Sequence, residues 1–396
     1  MARMIIFTGK GGVGKTSIAA AHAVRSAREG CRTLLVSADM AHNLGDIFQS
    51  PVGGAVKEVQ EKLYLLELDP QQLMQQEFPQ VNQALRDLLS GAGFSAARVD
   101  GGFPIPGFDM LFSLLKIAEL FESGAYDRVL VDCAPTGETL ALLKFPELLE
   151  WYMEKFYPVG KFVTRVLSPV AKAKYNVKLP SGKAMNEIGQ LHRRLVELQE
   201  LLKDGSRCSV RLVCIPEKMV VEETKRSYTH LSLYGYQVDG VYINRVLPEL
   251  ADNPFLSHWR EVQQQYLTEL EQVFAAYPVT RLPWYPEEVR GAEAIARLGA
   301  VLPETEELFR VRPHVEAERY ETIDGGYRLL LRMPGVHEEV SVSCRGMDLY
   351  VQLGTTVRCV PLPDVLRGAE VTEYGMADGI LSVSFRVKEQ GKEESR

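Results

Sequence analysis

Eight residues near the amino terminus, GlyLysGlyGlyValGlyLysThr at 9–16, set glycines, two lysines and a hydroxyl at the spacing G-x-x-x-x-G-K-[ST]. Each residue type fits one task. Gly9, Gly11, Gly12 and Gly14 let the backbone wrap an anion with its N–H groups turned inward. Lys15 brings positive charge to β- and γ-phosphates, and Thr16 offers a hydroxyl to Mg2+. Val13 and Ser17 complete the predicted nucleotide contact. The helix that follows aims its amino terminus at the anion. A chance match in a chain this long has a probability of about 1% at average residue frequencies. The expected chemistry is binding of Mg·ATP.

Such a loop works only between a strand and a helix, and the surrounding pattern supplies both. Met4 to Thr8 reads as a strand and Ser17 to Glu29 as a helix. Further apolar runs at Thr33–Ser37, Tyr64–Leu68, Arg128–Asp132, Arg211–Ile215, Val238–Asn244 and Val279–Leu282 alternate with helical stretches. That alternation predicts a mostly parallel sheet covered by helices. Two stretches interrupt it, about 71–120 and 145–202, and read as helical insertions. After about Pro303 the pattern becomes short alternating segments, 327–332, 340–344, 349–353 and 381–387, parted by turns at 324–326, 334–336 and 378–379. That is a small antiparallel β-sandwich. The predicted fold is therefore α/β: a P-loop domain over 1–303 with an inserted helical subdomain, a small all-β sandwich over 318–387, and a charged tail at 388–396.

Composition narrows the class. The chain has 396 residues and a formal net charge of −7, which gives no support to charge-driven nucleic-acid binding. Its six cysteines, Cys31, Cys133, Cys208, Cys214, Cys344 and Cys359, form no CxxC pair and suit a reducing, cytoplasmic compartment. The amino terminus runs straight into a strand without a signal-peptide core, and no apolar run reaches membrane-spanning length.

Two further stretches stand at strand carboxyl ends, where ligands bind in open α/β sheets. They are SerAlaAspMetAlaHisAsnLeuGlyAspIlePhe at 37–48 and AspCysAlaProThrGlyGluThrLeu at 132–140. With the loop at 9–16 they resemble switch I (DPAHNLSDAF) and switch II (DTAPTGHTL) of the arsenite-pump/GET ATPases, over roughly residues 1–300. Lys10 resembles the extra lysine of the deviant Walker A loop in the MinD/ArsA class, which reaches across a dimer to the partner's nucleotide. The resemblance implies that Asp39 orients the attacking water, that Asp132 and Asp39 join Thr16 in holding Mg2+, and that Lys10, Lys15 and Asp39 are catalytic. Asn43 would contact nucleotide or the partner subunit. Asn244 would read adenine beside Pro283, in ProTrpTyrProGluGluValArgGly at 283–291, which is similar to the family's adenine-side loop. His42 and Asp46 fit the motif, with capping or packing as equal alternatives; Pro135 and Gly137 suit a turn that moves with the γ-phosphate, and Thr136 and Thr139 could be turn caps. Met40 stands where the family usually has proline.

Branch assignment rests on what is missing. No arsenite-type cysteine cluster can be matched, 252–260 carries no zinc-clasp cysteine, and a single P-loop implies a homodimer. The carboxyl-terminal sandwich resembles the α-crystallin domain of small heat-shock proteins, through MetProGlyValHisGluGluValSerVal (333–342) and AspGlyIleLeuSerValSerPhe (378–385). The expected function is a dimeric Mg-dependent ATPase that binds or targets hydrophobic client helices such as tail-anchored membrane proteins, with a membrane receptor among its partners. Two alternatives stay open: the ATPase subunit of an anion-efflux pump, and an ATP-independent holdase. The insertions, with 103–115 and 148–157, either line a client groove or pack on the core; periodicity does not separate these.

Overall fold

The structure, a computed structural model, describes residues 2–38, 44–77, 79, 108–133, 182–248, 254–313, 318–333, 336, 339–353 and 356–386. Strand β1 (Arg3–Thr8) is buried along its whole length and lies near the middle of an eight-stranded sheet. Its companions are β2 (Thr33–Ser37), β3 (Lys57–Gln60), β4 (Leu63–Glu67), β5 (Arg128–Asp132), β6 (Cys208–Cys214), β7 (Val238–Val246) and β8 (Val279–Pro283). The order is β3-β4-β2-β5-β1-β6-β7-β8. All neighbours run parallel except β3, which pairs antiparallel with β4 at one edge. Continuous apolar runs such as MetIleIlePhe at 4–7 follow from helices covering both faces.

The helices among the described residues are α1 (Lys15–Arg28), α2 (Leu44–Phe48), α3 (Pro70–Glu77), α4 (Phe108–Glu122), α5 (Gly182–Lys203), α6 (Lys218–Leu233), α7 (Pro254–Val273), α8 (Gly291–Ala300) and α9 (Thr305–Leu308). Helix α1 carries the small residues Ala19, Ala20, Ala21 and Ala23, all fully buried, which lets it lie close to the sheet. Arg25 and Arg28 in its last turn suit the negative end of the helix dipole. Helices α3, α4 and α5 come from the two predicted insertions. They share an ion network in which Glu77 meets Lys116 (3.6 Å) and Arg194 (2.5 Å), and Glu119 meets Lys116 (2.7 Å) and Arg194 (3.3 Å). Met110, Leu111, Phe112, Leu114 and Leu115 are all at most 3% exposed and belong to the main core. The described part of the 103–115 stretch thus packs inward and does not line an open groove.

The end of the α/β region is tied down by arginines. Arg3 donates to the carbonyls of Phe309 and Arg310 (both 2.7 Å), Arg211 donates to that of Leu308, and Gln237 to that of Arg312 (2.8 Å). Asp239 neutralises both guanidiniums, at 2.8 Å from Arg3 and 3.0 Å from Arg211. Burial lowers the pKa of Arg3; for Arg211 burial is the largest influence and opposes the charge, but Asp239 and Tyr242 together outweigh it and hold the pKa above its ordinary value.

Beyond this anchor stand two antiparallel sheets. One has the order β14 (Glu370–Ala377), β15 (Ile380–Arg386), β10 (Gly326–Arg332), β9 (Glu318–Ile323). The other has the order β11 (Val340–Arg345), β12 (Asp348–Leu353), β13 (Thr356–Pro361). Their alternate residues, among them Leu329, Leu331, Leu349, Val351, Leu381 and Val383, form a second core. Leu233, the last residue of α6, is buried in that same cluster, so α6 spans from the α/β domain into the sandwich.

Candidate active site

The phosphate loop sits between β1 and α1, at the carboxyl edge of the sheet. Two glycines there have steric reasons. A Cβ on Gly9 would lie 2.0 Å from the Val213 carbonyl oxygen of β6, and one on Gly14, at φ +96°, would lie 2.4 Å from Asn244 Nδ2. Gly14 is the residue before α1, and its carbonyl accepts the first helical bond from Ile18 (3.1 Å). Lys15 is 6% exposed, and its ammonium donates to the Lys10 carbonyl at 3.3 Å, across the loop. Lys10 points elsewhere: its ammonium pairs with Glu223 of α6 at 3.4 Å, with both side chains partly exposed.

A cavity of about 400 Å3 opens over this loop, lined by Gly11, Gly12, Gly14, Lys15, Thr16, Ser17, Asp46, Ile47, Glu288 and Arg290. Its size suits a small-molecule ligand. A larger concavity of about 880 Å3 lies between β11 and β14 of the sandwich. Volume alone would favour it, but the phosphate-binding chemistry belongs to the smaller one. Asp132 ends β5 in register with Phe7 of β1 and Ser37 of β2, 1% exposed, which puts a carboxylate at the same edge as the loop. A lysine, a hydroxyl at the first turn of a helix and a strand-end carboxylate form a donor set that fits a nucleotide triphosphate with its hard divalent cation.

Asn244, near the end of β7, donates from Nδ2 to the Val13 carbonyl (2.9 Å), while its Oδ1 accepts from the Arg245 N–H (2.9 Å). Its amide braces the phosphate loop. Pro283 ends β8 and does not line the cavity, whereas Glu288 and Arg290 from the same loop do. Asp39, Met40, His42 and Asn43 lie outside the described residues, as do Pro135, Thr136, Gly137 and Thr139. The described residues resume at α2, where Asp46 and Ile47 reach the cavity wall. The carboxylate of Glu67, 6% exposed at the end of β4, accepts from the N–H groups of Leu44 (2.9 Å) and Gly45 (3.1 Å).

Sequence reasoning missed Glu67, Glu223, Glu288 and Arg290. The last two lie inside 283–291, and the family resemblance of that stretch was the available signal. Glu67 had a weaker one, a carboxylate at the end of an apolar run just before AspPro at 69–70.

The sequence profile of anion-transporting ATPases (ArsA) matches residues 2–304. The chain belongs to this ATPase family. It is an ATP hydrolase of the ArsA/GET class, and a second profile, an HSP20-like domain found in ArsA proteins, matches residues 324–385 of its sandwich. It is 34% identical over 397 aligned residues to a putative arsenical pump-driving ATPase of Chlorobaculum tepidum, covering 98% of this chain and 97% of that protein. A similarly named protein of Aquifex aeolicus is 30% identical, with 93% and 96% covered. ATPase GET3 of Chaetomium globosum is 31% identical over 76% of this chain and 90% of its own length. Among the described residues of this ATPase, no group of three His, Cys, Asp or Glu side chains could hold a metal ion, and no helix is long and apolar enough to cross a membrane.

Proposed function

We infer that this ATPase acts as a cytoplasmic homodimer whose nucleotide state governs the binding of hydrophobic client helices. Thr16, Asp132 and Asp39 would hold Mg2+, which supplies charge neutralisation at the transferred phosphoryl group. Lys15 binds the phosphates, Asp39 orients the attacking water, Asn43 contacts the nucleotide, and Asn244 braces the phosphate loop. Lys10 leaves Glu223 to reach the partner subunit's phosphates. A membrane receptor would take over the client.

The observation that carries the reading is that both insertions join in one helical body. Helices α3, α4 and α5 come from either side of Asp132 in the chain and are tied by the Glu77–Lys116–Arg194–Glu119 network. That body starts three residues after Glu67, which holds the first turn of α2, and α2 lends Asp46 and Ile47 to the nucleotide cavity. A client anchor of about 20 residues needs a groove about 30 Å long, which two such bodies side by side could supply. ATP would shift the population between formed and split grooves.

The test is co-expression with a tail-anchored substrate. Asp39→Asn should keep ATP binding, lose hydrolysis and retain the client, because water positioning acts in the transition state. Lys15→Ala should lose nucleotide and client, and Lys10→Ala should lower kcat more than ATP affinity. Failure of the wild type to hold the substrate, or full activity from a strict monomer, would remove the reading.

A pump-subunit function has one supporting observation, the name of the bacterial relatives that this chain matches over nearly their whole length. Against it, burial pushes the thiols of Cys208 and Cys214 up to about 12, which makes them poor thiolate ligands. Stimulation of hydrolysis by arsenite would favour the pump.

A further inference from the structure

Asp46 and Ile47 of the cavity wall belong to α2, a helix of five residues that is too short to hold itself in place. The start of any helix exposes N–H groups with no partner inside the helix. Here two of them, on Leu44 and Gly45, donate to a single oxygen, Glu67 Oε1, at 2.9 and 3.1 Å. The cap is not local, since Glu67 lies 23 and 22 residues further along the chain. Glu67 itself is rigidly placed. It pairs in register with Ser37, its N–H donates to the Gly53 carbonyl (3.1 Å), and the Leu68 N–H donates to the Ser37 carbonyl (3.2 Å).

Two residues on, Asp69 caps a second helix. Its carboxylate accepts from the Gln72 N–H (3.1 Å) and its carbonyl from the Leu73 N–H (3.1 Å), with Pro70 at the first helical position. Adjacent carboxylates on one strand end therefore seat α2, which brings Asp46 and Ile47 to the cavity, and α3, which opens the inserted helical body.

We propose that Glu67 is a positioning residue for ATP hydrolysis and that the Glu67–Asp69 turn is the joint connecting the phosphate site to the inserted helices. Glu67 touches no substrate. It holds the first turn of α2, and displacing α2 displaces Asp46 and Ile47 in the cavity wall. The P-loop carries ground-state phosphate binding, so loss of the cap acts on turnover and not on affinity. The joint works because α2 and α3 share one support: a shift of switch I that pulls on Leu44 and Gly45 pulls on the strand end that seats α3. The inference rests on the role proposed for Asp39, and the experiment separates the two.

The variants are E67A, E67D and E67Q. Gln keeps an Oε1 acceptor at the same reach and drops the charge; Asp keeps the charge and is one methylene short. In steady-state hydrolysis, with Kd measured for a non-hydrolysable ATP analogue, E67A and E67D should lower kcat about tenfold or more with Kd changed less than about threefold. E67Q should stay within about threefold of wild type in both. Thermal melts accompany the set, and if E67A melts below the assay temperature the E67D–E67Q pair decides. A kcat in E67D equal to wild type, or a loss in E67Q as deep as in E67D, overturns the positioning role. Hydrogen exchange reads the joint: amides at 71–77 should change protection with the analogue in wild type and not in E67D. No nucleotide response in wild type overturns the joint. If Asp39→Asn turns over normally while E67D does not, the assignment of Asp39 falls and that of Glu67 stands.

Discussion

The contact between Gly14 and Asn244 allows a measurement that separates two roles for one asparagine. An alanine methyl at Gly14 would come within 2.4 Å of Asn244 Nδ2, more than 1 Å inside a normal contact, so Asn244 must swing away and release the Val13 carbonyl. The φ of +96° adds strain of about 1–2 kcal/mol for a residue with a side chain. The lost hydrogen bond adds about 1 kcal/mol. Together they weaken ATP binding by about 2–3 kcal/mol, roughly 30- to 150-fold. Asn244→Ala alone loses only the brace, about fivefold. In a double-mutant cycle the brace is counted once, so Asn244→Ala should cost about fivefold in the wild type and nothing further in Gly14→Ala. The assay is nucleotide titration by calorimetry with ATP and GTP, and the brace predicts equal losses for both. If Asn244→Ala still weakens ATP in the Gly14→Ala background, and spares GTP, the residue acts on the base and the bracing argument fails.

Other consequences follow from buried groups. His22, fully buried, bonds Ile18 O through Nδ1 (2.7 Å) and Tyr242 through Nε2 (2.9 Å); a carbonyl only accepts, so Nδ1 carries the proton and the ring is neutral. Burial, then the Arg211 charge, hold its pKa well below 6.5, so the unfolded chain binds the proton first and stability is lost as pH falls below about 6.5. Urea denaturation of His22→Gln across that pH range should lack this part of the pH slope, and an unchanged slope would refute the assignment. Asp239→Asn leaves Arg3 and Arg211 buried without a counter-charge and should cost about 3–5 kcal/mol in urea unfolding, whereas replacing all three by apolar residues should cost less; equal losses would refute the pairing argument. Cys208 and Cys214 should resist alkylation in the native state until the chain unfolds, while the partly exposed Cys31 and Cys344 react first, as mass spectrometry of timed samples would record.

The strands that hold the site were legible because they are buried on both faces. Their apolar runs have no competing reading once bounded by glycines and helical stretches. Strand β3, LysGluValGln, escaped notice because it is a four-residue edge strand that alternates half-buried and exposed positions. Strand β14 is similar: an edge strand with Tyr374 exposed, it lacks the inward alternation that marks β10 and β15. The insertions were legible as helices but not as to what they cover. An apolar helix face looks the same in sequence whether its partner is the core or a client, and Leu111 and Leu115 chose the core.

The site itself divides along a physical line. Groups that meet the nucleotide through backbone geometry leave a fixed local spacing, since one loop must supply every N–H, and so 9–16 could be read directly. Groups that hold that loop and the switches in place leave none. Asn244 is 231 residues from Val13, and Glu67 is 23 from Leu44. A supporting side chain needs only to arrive at the right strand end, and the sheet order, not the sequence distance, decides which strand ends meet. Order β2-β5-β1-β6-β7 puts the ends of β2, β5 and β7 within reach of the loop that follows β1, and β4, beside β2, puts Glu67 under α2. Carboxylates and amides at those ends are therefore where the supporting residues should be sought. Glu67 is the one whose geometry is already complete, because both N–H groups that it holds belong to the helix that leaves switch I.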